Sequence, residues 1–354
     1  MKNLRISLGL FCLSLIATLS HAQSQELNLP RQSQRAVVTQ RLGITDITVN
    51  YHRPLANGRK VWGGLVPYGQ VWRAGANENT TITFTDPVTV EGKSLAAGTY
   101  GLHMIPNENQ FTVIFSNAAT SWGSFSYKQD EDALRVNVKP GPAEAYNALT
   151  YDFDQLKPDS AVLTMRWDKV AVPVNISVDV NKVVEASLPK QLRGLSQYDW
   201  QSWNDAANWF LTAKFDYSQG LKDADQSIQV EDRFDNQMTK AQLLDATGKT
   251  SEANAARQQA LAKASALQMY GYGRQLLKVD HKPQEAFAVF HDLIKRYPDA
   301  WVSHLAQARL ATGDGKYDQA VAQLKLSYNG APEQIKPQLD ALLKQLEAKE
   351  DINK

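Results

Sequence analysis

Tyr68, Trp72, Arg73, Asn77 and Glu78 fall within sixteen residues, "VPYGQVWRAGANENTT" at 66–81. Such a set has recognition chemistry. Aromatic rings offer flat apolar surface, a guanidinium offers a two-pronged donor, and an amide with a carboxylate gives directional acceptors and donors. Sugars, peptides and carboxylates are bound by side chains of this kind. Upstream, "YHRPLANGRKVWGG" adds Arg53, Arg59, Lys60 and Trp62, with glycines and prolines to turn the chain. A second group, "SWGSFSYKQDEDALR", offers Trp122, Tyr127, Asp132 and Arg135. The candidate ligand-binding residues are Arg53, Arg59, Tyr68, Trp72, Arg73, Asn77, Glu78, Trp122 and Tyr127. Were the site catalytic, Glu78 would be the general acid or base, His103 its partner, and Arg73 the holder of an anionic group. A plainer reading competes: Arg73 and Glu78 pair to tie the loop down, and Trp62 and Trp72 plug the end of a domain.

The familiar catalytic signatures are missing. The chain has no GxSxG elbow, HExxH helix, phosphate-binding glycine loop, dinucleotide fingerprint or EF-hand loop. His52 and His103 could be joined by Glu78 or Asp46 around a metal, but no ligand spacing supports it. No metal site and no cofactor are expected.

The elements that must position these residues read in two halves. From about Ser33 to Val180 the hydrophobic period is two. In "DITVNYHRP", Ile47, Val49 and Tyr51 face one way and Thr48, Asn50 and His52 the other. "TTITFTD", "FTVIFSN", "ALRVNVKP" and "SAVLTMRWDKVAVPVNISVDV" continue the series, with Gly, Pro, Asn and Asp at the joins. Many short strands without helical insertions predict an all-β sandwich or jelly-roll-like domain over 23–182. A linker is expected at 183–199, where "LPKQLRG" combines Pro, Gly and basic residues.

From Trp200 to Lys354 the chain is Ala-, Gln- and Lys-rich with helical periodicity. Ala224, Ala253, Ala286 and Ala320 recur in a common context, 29, 33 and 34 residues apart. Gly248 and Gly315 lie five residues before two of them, and Pro298 and Pro332 twelve residues after two. In the third copy His281 stands at the glycine position. The spacing predicts an α-helical, tetratricopeptide-like repeat domain, whose small residues let paired helices approach closely.

The N-terminus reads as an export signal over 1–22. Lys2 and Arg5 precede "SLGLFCLSLIATLS", and "SHA" ends at Ala22 in a small-x-small cleavage site. Cleavage there predicts a periplasmic or secreted protein. The single cysteine, Cys12, lies within that signal, so no disulfide or cysteine nucleophile is expected beyond it. No later apolar run is long enough to span a bilayer. The formal net charge of +1 argues against a broad nucleic-acid surface.

"GRKVWGGLVPYGQVWRAGANENTTITFT", "VEGKSLAAGTYGLHMIP" and "FTVIFSN…SWGSFSY" resemble a secreted bacterial domain of unknown function, the one numbered 2911. The resemblance covers about 34–182 and implies export, a β-rich fold and a hallmark polar loop followed by repeat helices. It implies no activity. Its hallmark positions fall on Arg53, Pro54, Arg59, Pro67, Tyr68, Trp72, Arg73, Asn77, Glu78 and Thr80. The leading expectation is a binding module. The β domain would take a saccharide, peptide or cell-envelope ligand, and the repeats would dock a protein partner. The alternatives are a hydrolase or lyase using Glu78, His103 and Arg73, and a periplasmic assembly scaffold.

Overall fold

The computed structural model describes residues 29–354, so the expected signal peptide, with Cys12, lies outside the described residues. The chain divides into two compact units, one ending at Val178 and the other beginning at Asp179.

The first unit is a β-sandwich. One sheet has six antiparallel strands in the order β1 (Gln34–Leu42), β2 (Thr45–Arg53), β3 (Thr81–Phe84), β6 (Gly98–Pro106), β7 (Phe111–Ser116) and β8 (Asp132–Val138). The other has four, in the order β5 (Lys93–Leu95), β4 (Val88–Val90), β10 (Ser160–Ser177) and β9 (Gly141–Asp154). Period-two alternation assigns the faces. Ile47, Val49 and Tyr51 of β2, Ile82 and Phe84 of β3, and Leu102 and Met104 of β6 are buried. Across the core they face an inner layer that includes Leu149, Tyr151, Leu163, Met165 and Trp167. Tyr51 meets Tyr151 edge-on at 4.8 Å, and its hydroxyl accepts from the Tyr151 backbone N–H at 3.1 Å.

The outer face of the larger sheet carries the other half of the alternation. Thr39 bonds Thr48 and Thr83 bonds Thr99 across strands. Asn50 and His52 of β2 and Gly101 and His103 of β6 point the same way. Two irregular segments shape one end of this face. Residues 54–80 join β2 to β3, and 117–131 join β7 to β8.

The second unit is helical. The expected linker at 183–199 is replaced by α1 (Val180–Gln191) and a 3-10 turn at Gly194–Tyr198. Asp179 caps α1 by accepting the Lys182 N–H at 3.2 Å, and Pro189 sits in the last turn, where its ring is tolerated better than mid-helix. The helix pairs are α2 (Trp200–Ala213) with α3 (Tyr217–Val230), and α4 (Phe234–Ala246) with α5 (Thr250–Lys263). They continue with α6 (Ala266–Lys278) and α7 (Pro283–Arg296), then α8 (Trp301–Gly313) and α9 (Tyr317–Ser327), and α10 (Lys336–Glu347) follows.

This is a tetratricopeptide-like arrangement, and it corrects the repeat register. Ala253, Ala286 and Ala320 are each the fourth residue of the second helix in a pair, whereas Ala224 is the eighth of α3. The fourth residue of α3 is Gly220. Numbered from Gly220 to Ala253, Ala286 and Ala320, the spacing is 33, 33 and 34. The 29-residue first spacing becomes 33 because Gly220, not Ala224, holds the alanine position in α3. A Cβ on Gly220 would come within 2.9 Å of Phe210 and 3.0 Å of Leu243, so this pair packs closer than alanine allows. His281 adopts φ +54°, the left-handed turn that Gly248 (φ +76°) and Gly315 (φ +71°) make in their copies. The glycine role is kept there without the glycine.

Candidate functional site

A cleft of about 640 Å³ opens on the outer face of the larger sheet. It is lined by Leu29, Pro30, Arg31, Ser33, Gln34 and Arg35, by Asn50 and His52 of β2, and by Glu78 and Asn79. β2 supplies its floor because Asn50 and His52 are the outward residues of a strand whose inward residues are in the core. The stretch at 77–79, where the bend at 74–77 gives way to the bridge at Glu78, supplies one wall. There Asn77 takes φ +59°, and its side-chain amide donates to the Ser33 carbonyl at 3.3 Å.

Glu78 is the charged centre of that wall. Its Oε1 accepts from Arg31 Nη1 at 2.7 Å, and its Oε2 lies 3.3 Å from His52 Nδ1. That second oxygen is buried and makes no hydrogen bond. Burial holds the His52 imidazole below its ordinary range. Glu78 pulls it up, while Arg31 and Arg35 push it down. Arg35 is committed to its neighbour, donating through Nε to Asn50 Oδ1 at 2.8 Å. Asn79 donates to the Ala118 carbonyl at 3.2 Å and leaves its Oδ1 buried without a partner.

The two sequence clusters meet here. Glu78 and Trp122 form an antiparallel backbone bridge, and the Asn79 N–H donates to the Ser121 carbonyl at 3.1 Å. Trp122 is 48% exposed, and the Arg31 guanidinium lies 5.1 Å from the centre of its ring. One residue on, Gly123 (φ +67°) passes over Arg73, whose Nη1 would lie 2.6 Å from a Cβ there. Arg73 is half-buried, with no carboxylate partner among the described residues; its Nε makes no hydrogen bond, and burial pulls its pKa down. The expected Arg73–Glu78 pair is therefore not made: Arg31 takes that place.

Ser124 bonds His103 Nδ1 at 2.9 Å. His103 is buried and its pKa falls to about 4, chiefly from burial and partly offset by Asp132. It shares the outer face with Glu78, but the 121–127 segment covers it and it does not line the cleft. The histidine beside Glu78 is His52. Tyr127 lies at 5.3 Å from the His103 ring and bonds Asp132 at 2.8 Å, while Arg135 bonds both Tyr127 and Asp132.

Four other candidates are placed elsewhere. Arg53 donates to the Leu149 carbonyl at 3.0 Å and to Thr150 Oγ1 at 2.8 Å, joining the two sheets. Arg59 donates to the Ala56 and Leu55 carbonyls within its own loop. Tyr68 lays its ring against Gly63. Trp72 stacks on Trp167 at 5.8 Å beside buried Trp62, so the two loop tryptophans close the end of the sandwich. Among the described residues no group of three metal-ligating side chains converges.

Of the hallmark positions Glu78 lines the cleft, while Arg53, Arg59, Trp72, Asn77 and Thr80 are tied into the fold by hydrogen bonds. Residues 33–176 match the model of DUF2911, a family described as protein of unknown function. The match spans the whole sandwich and ends inside β10. No curated protein matches the chain. Among solved structures, one similar chain is YrrB, described as a TPR protein with an unusual peptide-binding site. The two share 13% identity over 47% of this chain and 86% of that one, with a TM-score of 0.28.

The sequence reading missed Arg31, Ser33, Arg35, Asn50 and Asn79. Asn50 had a signal, since it is an outward residue of β2 next to His52. Arg31 had little, because it lies before the first strand in a stretch without periodicity.

Proposed function

We propose that the protein is an exported binding module, cleaved near Ala22. Its β unit takes a saccharide, peptide or cell-envelope ligand in the cleft at Glu78, and its helical unit docks a protein partner. One observation carries the first part: Glu78 sits at the wall of an open polar cleft with an oxygen that has no hydrogen bond. The carboxylate side chain is 41% exposed there, so a ligand donor can reach it. Asn50, His52 and Asn79 add further directional polar groups, and exposed Trp122 adds a flat apolar face beside them.

The helical unit offers a second concave surface of about 530 Å³ between α6, α8 and α10. Leu267, Trp301 and Leu342 give it apolar wall, and Arg274 and Lys278 give it positive charge. Stacked helix pairs present such grooves to partner segments.

A catalytic reading through Glu78 and His103 has less support, because His103 is committed to Ser124 beneath a covering segment. The test is a thermal-shift screen of the protein against glycan and peptide panels, followed by calorimetric titration of the hits. Binding should fall at least tenfold in Glu78→Ala and His52→Ala, about 1.4 kcal/mol or more. Hits that bind both variants as tightly as the parent would place the ligand elsewhere and refute the assignment.

A further inference from the structure

Arg31 stands where a ligand would. Its guanidinium donates to Glu78 Oε1 at 2.7 Å and lies 5.1 Å from the centre of the Trp122 ring. A planar cation between an aromatic face and a carboxylate is the arrangement that recognises a guanidinium, which stacks through its plane and donates through its edge. The chain builds this pair of walls deliberately, since Glu78 and Trp122 are bridged backbone to backbone.

We propose that Glu78 and Trp122 form a guanidinium-binding site filled in this structure by the chain's own Arg31, and that an arginine of a partner peptide enters by displacing it. The inference rests on reading the cleft as a binding site and names the ligand class.

Three further observations support it. Arg31 precedes β1, just before the bend at 32–33, and lies outside both sheets, so its departure costs no strand pairing. The Glu78 side chain is 41% exposed and Trp122 48%, so the site is reachable from solvent. Ion pairs and cation–π contacts at such exposure are weak enough for an external ligand to compete with. Glu78 Oε2 makes no hydrogen bond and lies 3.3 Å from His52 Nδ1, so once Arg31 has left, a guanidinium approaching with both prongs can engage both carboxylate oxygens. A peptide fits better than a free amino acid. The cleft is far larger than one guanidinium, and Ser33, Gln34 and Asn50 lie along it with polar groups for a peptide backbone.

The experiment titrates the protein with acetyl-Gly-Arg-Gly-amide and with the same peptide carrying citrulline, a neutral isostere of arginine. Arg31→Gln should bind the arginine peptide about tenfold more tightly than the parent, because the competent fraction rises when the internal competitor is removed. Arg31→Lys, which keeps the charge but not the fork, should gain less. In the Arg31→Gln background, Glu78→Gln and Trp122→Leu should each lose most of that affinity, and citrulline should bind poorly throughout. Thermal melts of each variant confirm that the fold is retained. Equal affinity of parent and Arg31→Gln, or equal binding of citrulline and arginine, overturns the proposal. If neither peptide binds Arg31→Gln while a saccharide binds in a Glu78-dependent way, the guanidinium assignment falls and the binding-module reading stands. If nothing binds through Glu78, both fall.

Discussion

Asp223→Asn should stabilise the helical unit at neutral pH. Asp223 lies on the buried side of α3, 3% exposed, and among the described residues its side chain's only hydrogen bond comes from Gln219 Nε2 at 2.9 Å. Burial pushes its pKa up to about 6; the Gln219 hydrogen bond and nearby Lys222 pull the other way, and Asp216 adds to the rise. The sign follows from proton uptake. Between about 3.8, the unfolded value, and 6 the folded state holds more protons than the unfolded one, so stability falls as pH rises through this window. Above it the loss is complete. Two pKa units at about 1.4 kcal/mol each give a cost on the order of 3 kcal/mol for keeping the charge buried. Asparagine removes the charge and keeps the acceptor facing Gln219. Its new amide hydrogens need partners, which reduces the net gain to about 1–2 kcal/mol. For a unit of this size that is a rise of roughly 2–8 °C in melting temperature. The assay is urea unfolding followed by far-ultraviolet circular dichroism at pH 7.5 and pH 4, parent against variant. The stabilisation should be present at pH 7.5 and nearly gone at pH 4. A variant less stable than the parent at pH 7.5, or a difference that does not change with pH, would refute the argument that desolvation dominates at Asp223.

His103 should act in the opposite sense. Its folded pKa of about 4 lies below the unfolded 6.5, so its contribution is present above 6.5 and lost as pH falls through 4. The loss is on the order of 3 kcal/mol, and His103→Gln, measured by urea unfolding at pH 7.5 and 4, should lose less than the parent on acidification. Gly220→Val should destabilise the unit by about 1–3 kcal/mol, because the added side chain meets Phe210 and Leu243; a thermal melt no lower than the parent's would contradict that close approach. Arg53→Met should cost about 1–3 kcal/mol in urea unfolding of the β unit, since it leaves the Leu149 carbonyl and the Thr150 hydroxyl without their donor, yet it should not change ligand binding in the cleft.

The sandwich was legible because period-two alternation is a local property. Ile47, Val49 and Tyr51 already stood opposite Asn50 and His52 before any sheet was known. The repeats were legible for a similar reason, but their register was not. Gly220 carries no alanine signature, and its role depends on Phe210 and Leu243 from two other helices. The site was legible as residue types and much less as geometry. Arg73 stands five residues before Glu78, and nothing in that spacing says that Arg31, 47 residues upstream of Glu78, takes the carboxylate instead. Sheet register decides this, as it decides that His52 rather than His103 faces Glu78. Register is set by partners far away in sequence. The linker was misread because Pro189 and Gly194 are breakers in either setting; that the proline falls in the last turn of a helix could not be read from composition.

The contacts that close the sandwich have a kinetic consequence. Arg31 reaches Glu78 across 47 residues, Arg53 reaches Thr150 across 97, and Tyr51 meets Tyr151 across 100. The helical unit is joined mostly by sequence neighbours: its strongest contacts are α2 with α3, α4 with α5, α6 with α7 and α8 with α9. Loop closure must precede the reward of long-range pairing, so chains of the first kind fold in milliseconds to seconds and helical ones in microseconds to milliseconds, by rough scaling. The β unit should therefore be the slow half to reach its native state. Its cleft, which needs residues 77–79, the 121–123 segment and the stretch before β1 in place together, is complete only when the sandwich is. Ligand binding at Glu78 would then report the end of folding, and a refolding experiment should show helical signal returning well before the site does.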